Sequence, residues 1–283
     1  MTQDVKTPED LQKDLAKAHK QLAPSSARST PEIVQDYETL MRDGYVILHD
    51  LIDADHIEAI KSVAPELLNY KGRNSFEGLK TQRVYDVLSK TVLMDRIADH
   101  PRILGLLDRV FLPGFLLSQA QIINILPDER AQMLHYDDGF YRIPRPRPAL
   151  GAGFVLAVND FTEDNGATVM IPQSHLWGDD KAPQKDQIIK AVMPAGSAVF
   201  FLGTTWHGGG ANESTAPRLA MTCQYCEAYM RQQENFLLEI SKDRARDMSP
   251  ELRALIGYSV YPPFMGMVNG QHPERLLGDL STP

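Results

Sequence analysis

The feature that most limits how this chain can fold is a series of short apolar segments in its second half. Runs rich in apolar and β-branched residues recur between glycine, proline, asparagine and aspartate residues, at 115–125, 153–158, 167–171, 197–202 and 219–229. Short strands separated by turn residues are typical of an antiparallel sandwich or barrel. The sequence therefore predicts a mainly β fold for this part of the chain.

The first half is predicted to be mainly helical. Apolar residues recur at helical spacing in 8–22 and 53–68, and Thr30-Pro31 places a capping residue and a proline at the start of a helix that ends near Gly44. Further helices are predicted at 93–99, 101–110 and 250–255, and a strand at 45–48. We expect residues 1–30 to form an N-terminal helical arm. Residues 31–283 should form one domain, with helices packed outside the sheet and an irregular covering loop at 258–272.

Charge and hydropathy exclude several classes of partner. The net charge of −8 argues against a nucleic-acid partner, because phosphate binding needs a basic face. No apolar run is long enough to span a bilayer, and the polar N-terminus has no signal core. Cys223 and Cys226 lie three apart in a strand-like run, so their side chains should point to opposite faces and not share a disulfide or zinc ion. These observations predict a cytoplasmic protein whose partner is a small molecule.

The chemistry of the chain is suggested by His135, Asp137 and His207. On an extended segment, His135 and Asp137 would point to the same face, and His207 follows a predicted strand whose end can lie beside them. Two imidazoles and one carboxylate form the facial ligand set of non-haem Fe(II) sites, which leaves positions open for other ligands. Arg218 begins the next apolar strand, where a buried guanidinium would need an anion.

These segments resemble the phytanoyl-CoA dioxygenase family of Fe(II)- and 2-oxoglutarate-dependent oxygenases. The resemblance spans about residues 35–230 and rests on QMLHYD at 132–137, NGATVMIPQSHLW at 165–177, and HGGGAN at 207–212 followed by Arg218. The motifs look most like those of members that modify fungal terpenoid and alkaloid natural products. One departure is Gln173, which stands where the family usually has glycine.

The resemblance implies a fold, a reaction and roles for individual residues. The fold would be a double-stranded β-helix, a cupin-like jelly roll with helices outside. His135, Asp137 and His207 would be the catalytic iron ligands, and O2 and 2-oxoglutarate would be the cosubstrates. The cosubstrate would be held by a further set: Arg218, Thr168 and Gln132. The products would be succinate, CO2 and an oxidised lipophilic molecule from secondary metabolism, made by hydroxylation, desaturation or ring rearrangement. The resemblance also leaves a homodimer open.

Two other functions remain open from the sequence. Arg142, Arg145 and Arg147 alternate with prolines just after the metal motif, and they could contact an anionic substrate such as an acyl-CoA. An acyl-CoA or amino-acid hydroxylase of the same fold is therefore the first alternative, although a solvated loop is the favoured interpretation of these arginines. The second is a jelly roll that binds a metal or ligand without catalysis, against which the intact ligand set and Arg218 argue.

Overall fold

A computed structural model describes residues 28–68 and 71–278 of the chain. The predicted helix at 8–22, and almost all of the predicted arm at 1–30, lie outside the described residues. Nine strands are present in the described part. They are β1 Tyr45–Leu48, β2 Thr81–Val84, β3 Leu116–Ile125, β4 Gly151–Ala157, β5 Thr168–Met170, β6 Ile189–Lys190, β7 Ala198–Leu202, β8 His207–Gly209 and β9 Arg218–Cys226.

Eight α-helices flank these strands in the same residues. They are α1 Pro31–Asp43, α2 Ala54–Leu67, α3 Val87–Lys90, α4 Asp95–Ala98, α5 Pro101–Val110, α6 Phe236–Glu239, α7 Lys242–Arg246 and α8 Pro250–Leu255. Among the described residues, no helix has both the length and the apolar character needed to cross a bilayer.

Local sequence signals explain where α1 begins and ends. The Thr30 hydroxyl accepts a hydrogen bond from the Ile33 backbone N–H at 3.2 Å, so it satisfies one of the free donors of the first turn. Gly44 ends the helix with a φ of 85°, and a Cβ at this position would lie 2.5 Å from His175 Nδ1. Both predicted ends of this helix are therefore confirmed, and Gly44 also makes room for a buried histidine.

The strands form two antiparallel sheets. The larger sheet has the order β1-β7-β4-β9-β3-β2, and the smaller has the order β6-β5-β8. The segment 129–135 extends the smaller sheet beside β8, because bridges join Glu129 to Asn212 and His135 to His207. Two facing antiparallel sheets with helices outside form the predicted double-stranded β-helix.

Alternation along β9 gives the larger sheet two different faces. Leu219, Met221, Cys223 and Tyr225 pack into the large core under the helices. Arg218, Thr222 and Gln224 point the other way and line a cavity between the sheets. One strand therefore supplies the large core with its odd-numbered residues and the candidate site with Arg218, Thr222 and Gln224.

The structure differs from the sequence predictions at several places, among them the helices α3, α6 and α7, which were not predicted. His207–Gly209 is a strand paired with β5, which the sequence analysis did not predict. β2 and β6 were not predicted, because each is short and lacks an apolar run. The predicted covering loop contains two bridges, Tyr261 to Met265 and Val268 to Gln271, before a 3-10 helix at Pro273–Leu277. Cys223 and Cys226 are both buried, and both are free thiols in the described residues.

Candidate functional site

The two predicted histidine ligands face each other across a single bridge between segments. The His135 N–H donates to the His207 carbonyl at 2.9 Å, and the His207 N–H donates to the His135 carbonyl at 2.8 Å. Directly opposed residues in an antiparallel pair place their side chains on the same face. Their imidazole centroids are accordingly 4.5 Å apart.

Asp137 brings a carboxylate to the same point from the start of a 3-10 turn, Asp137–Phe140. Its Oδ1 atom lies 3.6 Å from Nε2 of His135 and 3.6 Å from Nε2 of His207. The three ligand atoms all lie within 4.8 Å of one another, so one ion could contact all three. The structure thus brings together the three residues that the sequence singled out.

The Nδ1 atoms of the two histidines and the second carboxylate oxygen of Asp137 make hydrogen bonds with groups outside the triad. Nδ1 of His135 lies 3.0 Å from the Met133 carbonyl, and Nδ1 of His207 lies 3.0 Å from the Thr205 carbonyl. A carbonyl can only accept, so each Nδ1 carries the proton and each Nε2 keeps a lone pair for a metal. Oδ2 of Asp137 accepts from the Gln224 amide at 2.8 Å, which leaves Oδ1 for the same metal.

Burial sets the charges of the triad. It lowers the pKa of His135 and of His207 to about 4, so both imidazoles are neutral at physiological pH. Burial raises the pKa of Asp137 to about 6, and the nearby His135 counteracts part of this effect. Two neutral imidazoles and one carboxylate, without a thiolate, fit Fe(II) with open positions.

We expect metal affinity to fall as the pH decreases through about 6. The proton and the metal compete for Asp137, so affinity is retained above the pKa of this carboxyl and lost below it. The two imidazoles protonate only near pH 4 and should steepen the loss there. Titration with Mn(II) between about pH 8 and about pH 5 measures the effect. An affinity that stays constant over that range would contradict the expectation.

A cavity of about 420 Å³ opens from the triad between the two sheets. Its rim includes Phe76 and Phe140, which are 45% and 56% exposed. Its wall contains the amides of Gln119, Gln121, Gln132, Gln224 and Gln233. Arg83 and Arg218 also line it and supply two guanidinium groups. The cavity therefore combines an apolar entrance, a neutral polar wall and a cationic region.

Arg218 is almost completely buried in this cavity. Its Nε donates to the Gly166 carbonyl at 3.0 Å and its Nη2 donates to the same oxygen, while the guanidinium lies over the Phe161 ring at 4.4 Å. No carboxylate lies within ion-pair distance of it in residues 28–68 and 71–278. Burial, and secondarily Arg83, lower its pKa to about 9. A cation so placed can bind an anionic ligand strongly.

Arg83 is a second cation that the sequence analysis did not single out. It lies on β2, opposite Ile123 of β3, and its Nη1 donates to Gln121 Oε1 at 2.9 Å. Its guanidinium has no carboxylate partner among the described residues, and burial lowers its pKa. The only sequence signal was a lone arginine in TQRV, a strand too short to be recognised.

The other two predicted cosubstrate residues also line the cavity. Thr168 is buried on β5, and its hydroxyl has no hydrogen-bond partner among the residues described here. The amide of Gln132 is already engaged, since it accepts from the Gly209 N–H at 3.1 Å and donates to the Phe76 carbonyl at 3.0 Å. Thr168 is thus free to contact a ligand, whereas Gln132 connects β8 to the cavity rim.

The alternating arginines mostly serve the fold. Arg145 is buried, donates to the carbonyls of Ser174 and Thr204, and lies over the Tyr136 ring at 4.3 Å. Arg147 donates to Asp138 Oδ2 at 2.9 Å, and the side chains of this pair are 8% and 1% exposed. Arg142 makes no such contact with any residue in 28–68 or 71–278. The structure thus removes most of the basis for an acyl-CoA contact at this loop.

Replacing Arg147 by alanine should destabilise the protein. It would leave the Asp138 carboxylate buried without its cation, and breaking a buried pair costs about 3–5 kcal/mol. Chemical denaturation of the wild type and the variant measures this loss, with Arg142→Ala as the matched control. A variant with unchanged stability, but weaker binding of a CoA thioester, would instead support the substrate role.

His175 and Trp206 have structural contacts outside the triad. His175 is buried, and its Nε2 lies 3.1 Å from the Met41 carbonyl. Trp206 makes an edge contact with the Tyr136 ring at 5.0 Å and does not line the cavity. Gln173, which replaces the family's glycine, has a φ of 62°, a left-handed conformation that favours glycine. The glutamine at position 173 leaves the three ligand positions unchanged.

Comparisons with a family model and with known proteins indicate the same family as the sequence motifs do. The phytanoyl-CoA dioxygenase (PhyH) family model matches residues 40–220. The chain is 31% identical to the dioxygenase cdmA of Talaromyces verruculosus over 272 residues, which cover 89% of this chain and 90% of that protein. It is 29% identical to the dioxygenase swnH1 of Metarhizium robertsii, with 86% of this chain and 88% of that protein covered.

Solved structures support the fold. The carbocyclase SnoK from nogalamycin biosynthesis, a non-heme alpha ketoglutarate dependent enzyme, superposes with a TM-score of 0.60 at 18% identity and covers 77% of this chain and 94% of its own. The epimerase SnoN, solved with Fe3+, alpha ketoglutarate and nogalamycin RO, gives a TM-score of 0.58 at 21% identity, with 73% and 89% covered. With the jelly roll and the family match in agreement, this chain belongs to the phytanoyl-CoA dioxygenase family.

Proposed function

We propose that the protein oxidises a neutral, lipophilic small molecule, in the biosynthesis of a secondary metabolite. The protein is a non-haem iron dioxygenase that depends on 2-oxoglutarate and O2. Bound together, iron, 2-oxoglutarate and O2 would supply the oxidant: one oxygen atom of O2 would enter succinate as CO2 is released, and the other would be used to oxidise the substrate. The single observation behind the proposal is that the triad lies in a cavity with two guanidiniums that have no carboxylate partner in the described residues.

In this proposal the cationic region of the cavity binds the cosubstrate. Arg218 would bind the distal carboxylate of 2-oxoglutarate. Arg83 would add a second positive charge beside it, and Thr168 would contribute its hydroxyl group. Gln132 would shape the wall beside the iron ligands His135 and His207. Asp137 would supply the third ligand. The support is that Arg218 is buried with no carboxylate partner in the part of the chain that the structure describes, since a dicarboxylate would compensate a cation that is otherwise costly to bury.

The rest of the cavity favours a neutral substrate. Glu77, the acidic residue at its edge besides Asp137, is paired with Arg73 and accepts from the Tyr85 hydroxyl at 3.2 Å. Hydrogen bonding to Arg73 lowers the pKa of Glu77 to about 2, so the carboxylate is ionised and its negative charge is already paired with Arg73. The remaining wall offers amides and aromatic rings, which suit carbonyl, hydroxyl and hydrocarbon groups.

The acyl-CoA and amino-acid alternatives find less support in these contacts. An acyl-CoA needs free cations at the entrance, and Arg145 and Arg147 are held inside the fold. An amino-acid substrate needs one partner for its ammonium group and one for its carboxylate, in addition to the groups that bind 2-oxoglutarate. The non-catalytic alternative is disfavoured by the intact triad.

The decisive experiment uses the purified protein with Fe(II), 2-oxoglutarate and O2, and compares three groups of probe compounds. These are neutral terpenoid or alkaloid metabolites, long-chain acyl-CoA thioesters, and free amino acids. We expect substrate-stimulated succinate formation, with a product heavier by one oxygen or lighter by two hydrogens, from the first group only. Stimulation by a thioester or amino acid would overturn the substrate class. Absence of any iron-dependent succinate formation would overturn the enzymatic function.

Assembly, location and domain organisation belong to the same proposal. We propose one oxygenase domain over residues 31–283, supported by a core that includes both Ile33 and Leu277. A homodimer is supported by apolar side chains that are exposed near the C-terminus: Phe264, Met265, Met267 and Val268. Light scattering on the purified chain tests the dimer, which a monomer at micromolar concentration would contradict. A cytoplasmic location is proposed on the sequence evidence.

A further inference from the structure

We propose that Gln224 is a positioning residue of the metal centre, and that Gln233 fixes the direction of its amide. Gln224 Nε2 donates to Asp137 Oδ2 at 2.8 Å, and Gln233 Nε2 donates to Gln224 Oε1 at 2.5 Å. The two amides therefore form a chain that runs from the exposed edge of the cavity to the carboxylate of the triad. The inference rests on the proposed role of Asp137 as an iron ligand.

The first step concerns the two oxygens of Asp137. Oδ1 lies 3.6 Å from both histidine Nε2 atoms, whereas Oδ2 accepts the Gln224 hydrogen bond. A carboxylate can bind a metal with one oxygen or with two. With Oδ2 engaged by Gln224, Asp137 would offer a metal Oδ1 alone. The positions needed by 2-oxoglutarate and O2 then remain open.

The second step concerns the direction of the Gln224 amide. A glutamine can present either an NH2 group or a carbonyl oxygen to its neighbour, and the carbonyl would repel the carboxylate. Because the NH2 group of Gln233 is bound to Oε1 of Gln224, the NH2 group of Gln224 faces Asp137. Gln233 therefore selects the orientation that supports the ligand.

The third step concerns how Gln233 is held. The β3–β9 pairing shifts register between Leu117 and Gln119, so Ser118 lies at a bulge. The Ser118 hydroxyl accepts from the Gln233 N–H at 3.1 Å, and the Ser118 carbonyl accepts from the Glu234 N–H at 2.9 Å. The bulge thus anchors the loop that carries Gln233 beside the strand that carries Gln224.

The fourth step concerns the space for Gln224. Its neighbour on β4 is Gly153, and a Cβ there would lie 3.2 Å from Gln224 Cγ and 2.9 Å from the Cys223 carbonyl. The absence of a side chain at Gly153 lets the glutamine side chain lie over β4 and reach Asp137. The neighbouring strand is therefore shaped for this contact.

The experiment measures Mn(II) affinity in the absence of substrate, together with the KM for 2-oxoglutarate and kcat at saturating metal. Gln224→Met keeps the side-chain length and removes the donor, and Gln233→Met leaves Gln224 in place but frees its amide to turn. We expect Gln224→Met to lose about 10- to 100-fold in Mn(II) affinity, and Gln233→Met to lose about 3- to 10-fold. The KM for 2-oxoglutarate should change by less than about threefold, because Arg83 and Arg218 are untouched.

Gln119→Met is the matched control. Gln119 lies opposite Gln224 on β3 and lines the same cavity, but its side chain has no hydrogen bond within the described residues. We expect its Mn(II) affinity to equal that of the wild type.

The outcomes separate this inference from the proposed function. If Gln224→Met and Gln233→Met both bind Mn(II) like the wild type, the positioning role is wrong, while the metal centre itself stands. If the wild type binds no Mn(II), both the metal centre and the positioning role are wrong. If Gln224→Met does not fold, Gln233→Met, whose side chain is exposed, still decides the question.

Discussion

Asp137→Ala should eliminate metal binding and turnover while the protein remains folded. Alanine removes the carboxylate whose Oδ1 lies 3.6 Å from both Nε2 atoms, so two neutral imidazoles would remain to hold a divalent ion. We expect Mn(II) affinity to fall by more than about 100-fold, since losing a ligand exceeds the loss of an outer contact. Iron-dependent succinate formation should fall to background. Mn(II) titration and succinate analysis measure the two effects.

The adjacent residue provides the control for Asp137. Asp138 is also an acidic residue of this turn, but it binds Arg147 and the Leu150 N–H, and it is 1% exposed. Asp138→Asn should therefore lower stability yet retain one metal site per chain in the folded protein. Equal Mn(II) affinity for Asp137→Ala and the wild type, or loss of metal binding only in Asp138→Asn, would contradict the proposed ligand set.

Arg218→Ala should mainly raise the KM for 2-oxoglutarate. Removing one partner of a buried, hydrogen-bonded charge pair costs about 2–5 kcal/mol, which corresponds to a roughly 30- to 5000-fold weaker interaction. We expect kcat at saturating 2-oxoglutarate to fall less than kcat/KM does. Initial rates over a range of 2-oxoglutarate concentrations separate the two constants.

Two further variants sharpen the test of Arg218. Arg218→Lys keeps the charge but cannot donate from both Nε and Nη2 to Gly166, so it should restore only part of the affinity. Arg83→Met removes the second cation and should raise the KM less than Arg218→Ala, because Arg83 is less buried. An unchanged KM for 2-oxoglutarate in Arg218→Ala would show that the cosubstrate binds elsewhere.

The fold could largely be predicted from the sequence because its strongest signals are local. Six of the nine strands described, β1, β3, β4, β5, β7 and β9, contain apolar runs bounded by turn residues. The starts of α1, α2 and α8 carry a threonine, an aspartate and a serine that accept from the first turn. β2 and β8 carry no such signal. They are strands because long-range partners, β3 and β5, hold their backbones.

In the site, too, some residues have a local sequence signal and others depend on long-range pairing. His135, Asp137 and His207 could be found from residue type and spacing, and the structure places their ligand atoms together. Arg83 and Gln224 could not be found in this way, because an isolated arginine or glutamine has many uses. Their importance depends on what lies opposite them, Ile123 for Arg83 and both Gln119 and Gly153 for Gln224. Such register is set by the whole sheet and is not readable from one segment.

The alternation along β9 has a consequence for how this enzyme can diversify. A single inserted or deleted residue within Arg218–Cys226 would turn cationic and amide groups towards the helices, and would place leucine and methionine where the cosubstrate should bind. Length variation is therefore incompatible with this strand. We expect new substrate preferences to arise by exchange of side chains on rim segments such as those bearing Phe76 and Phe140, with β9 kept at constant length across variants that still consume 2-oxoglutarate.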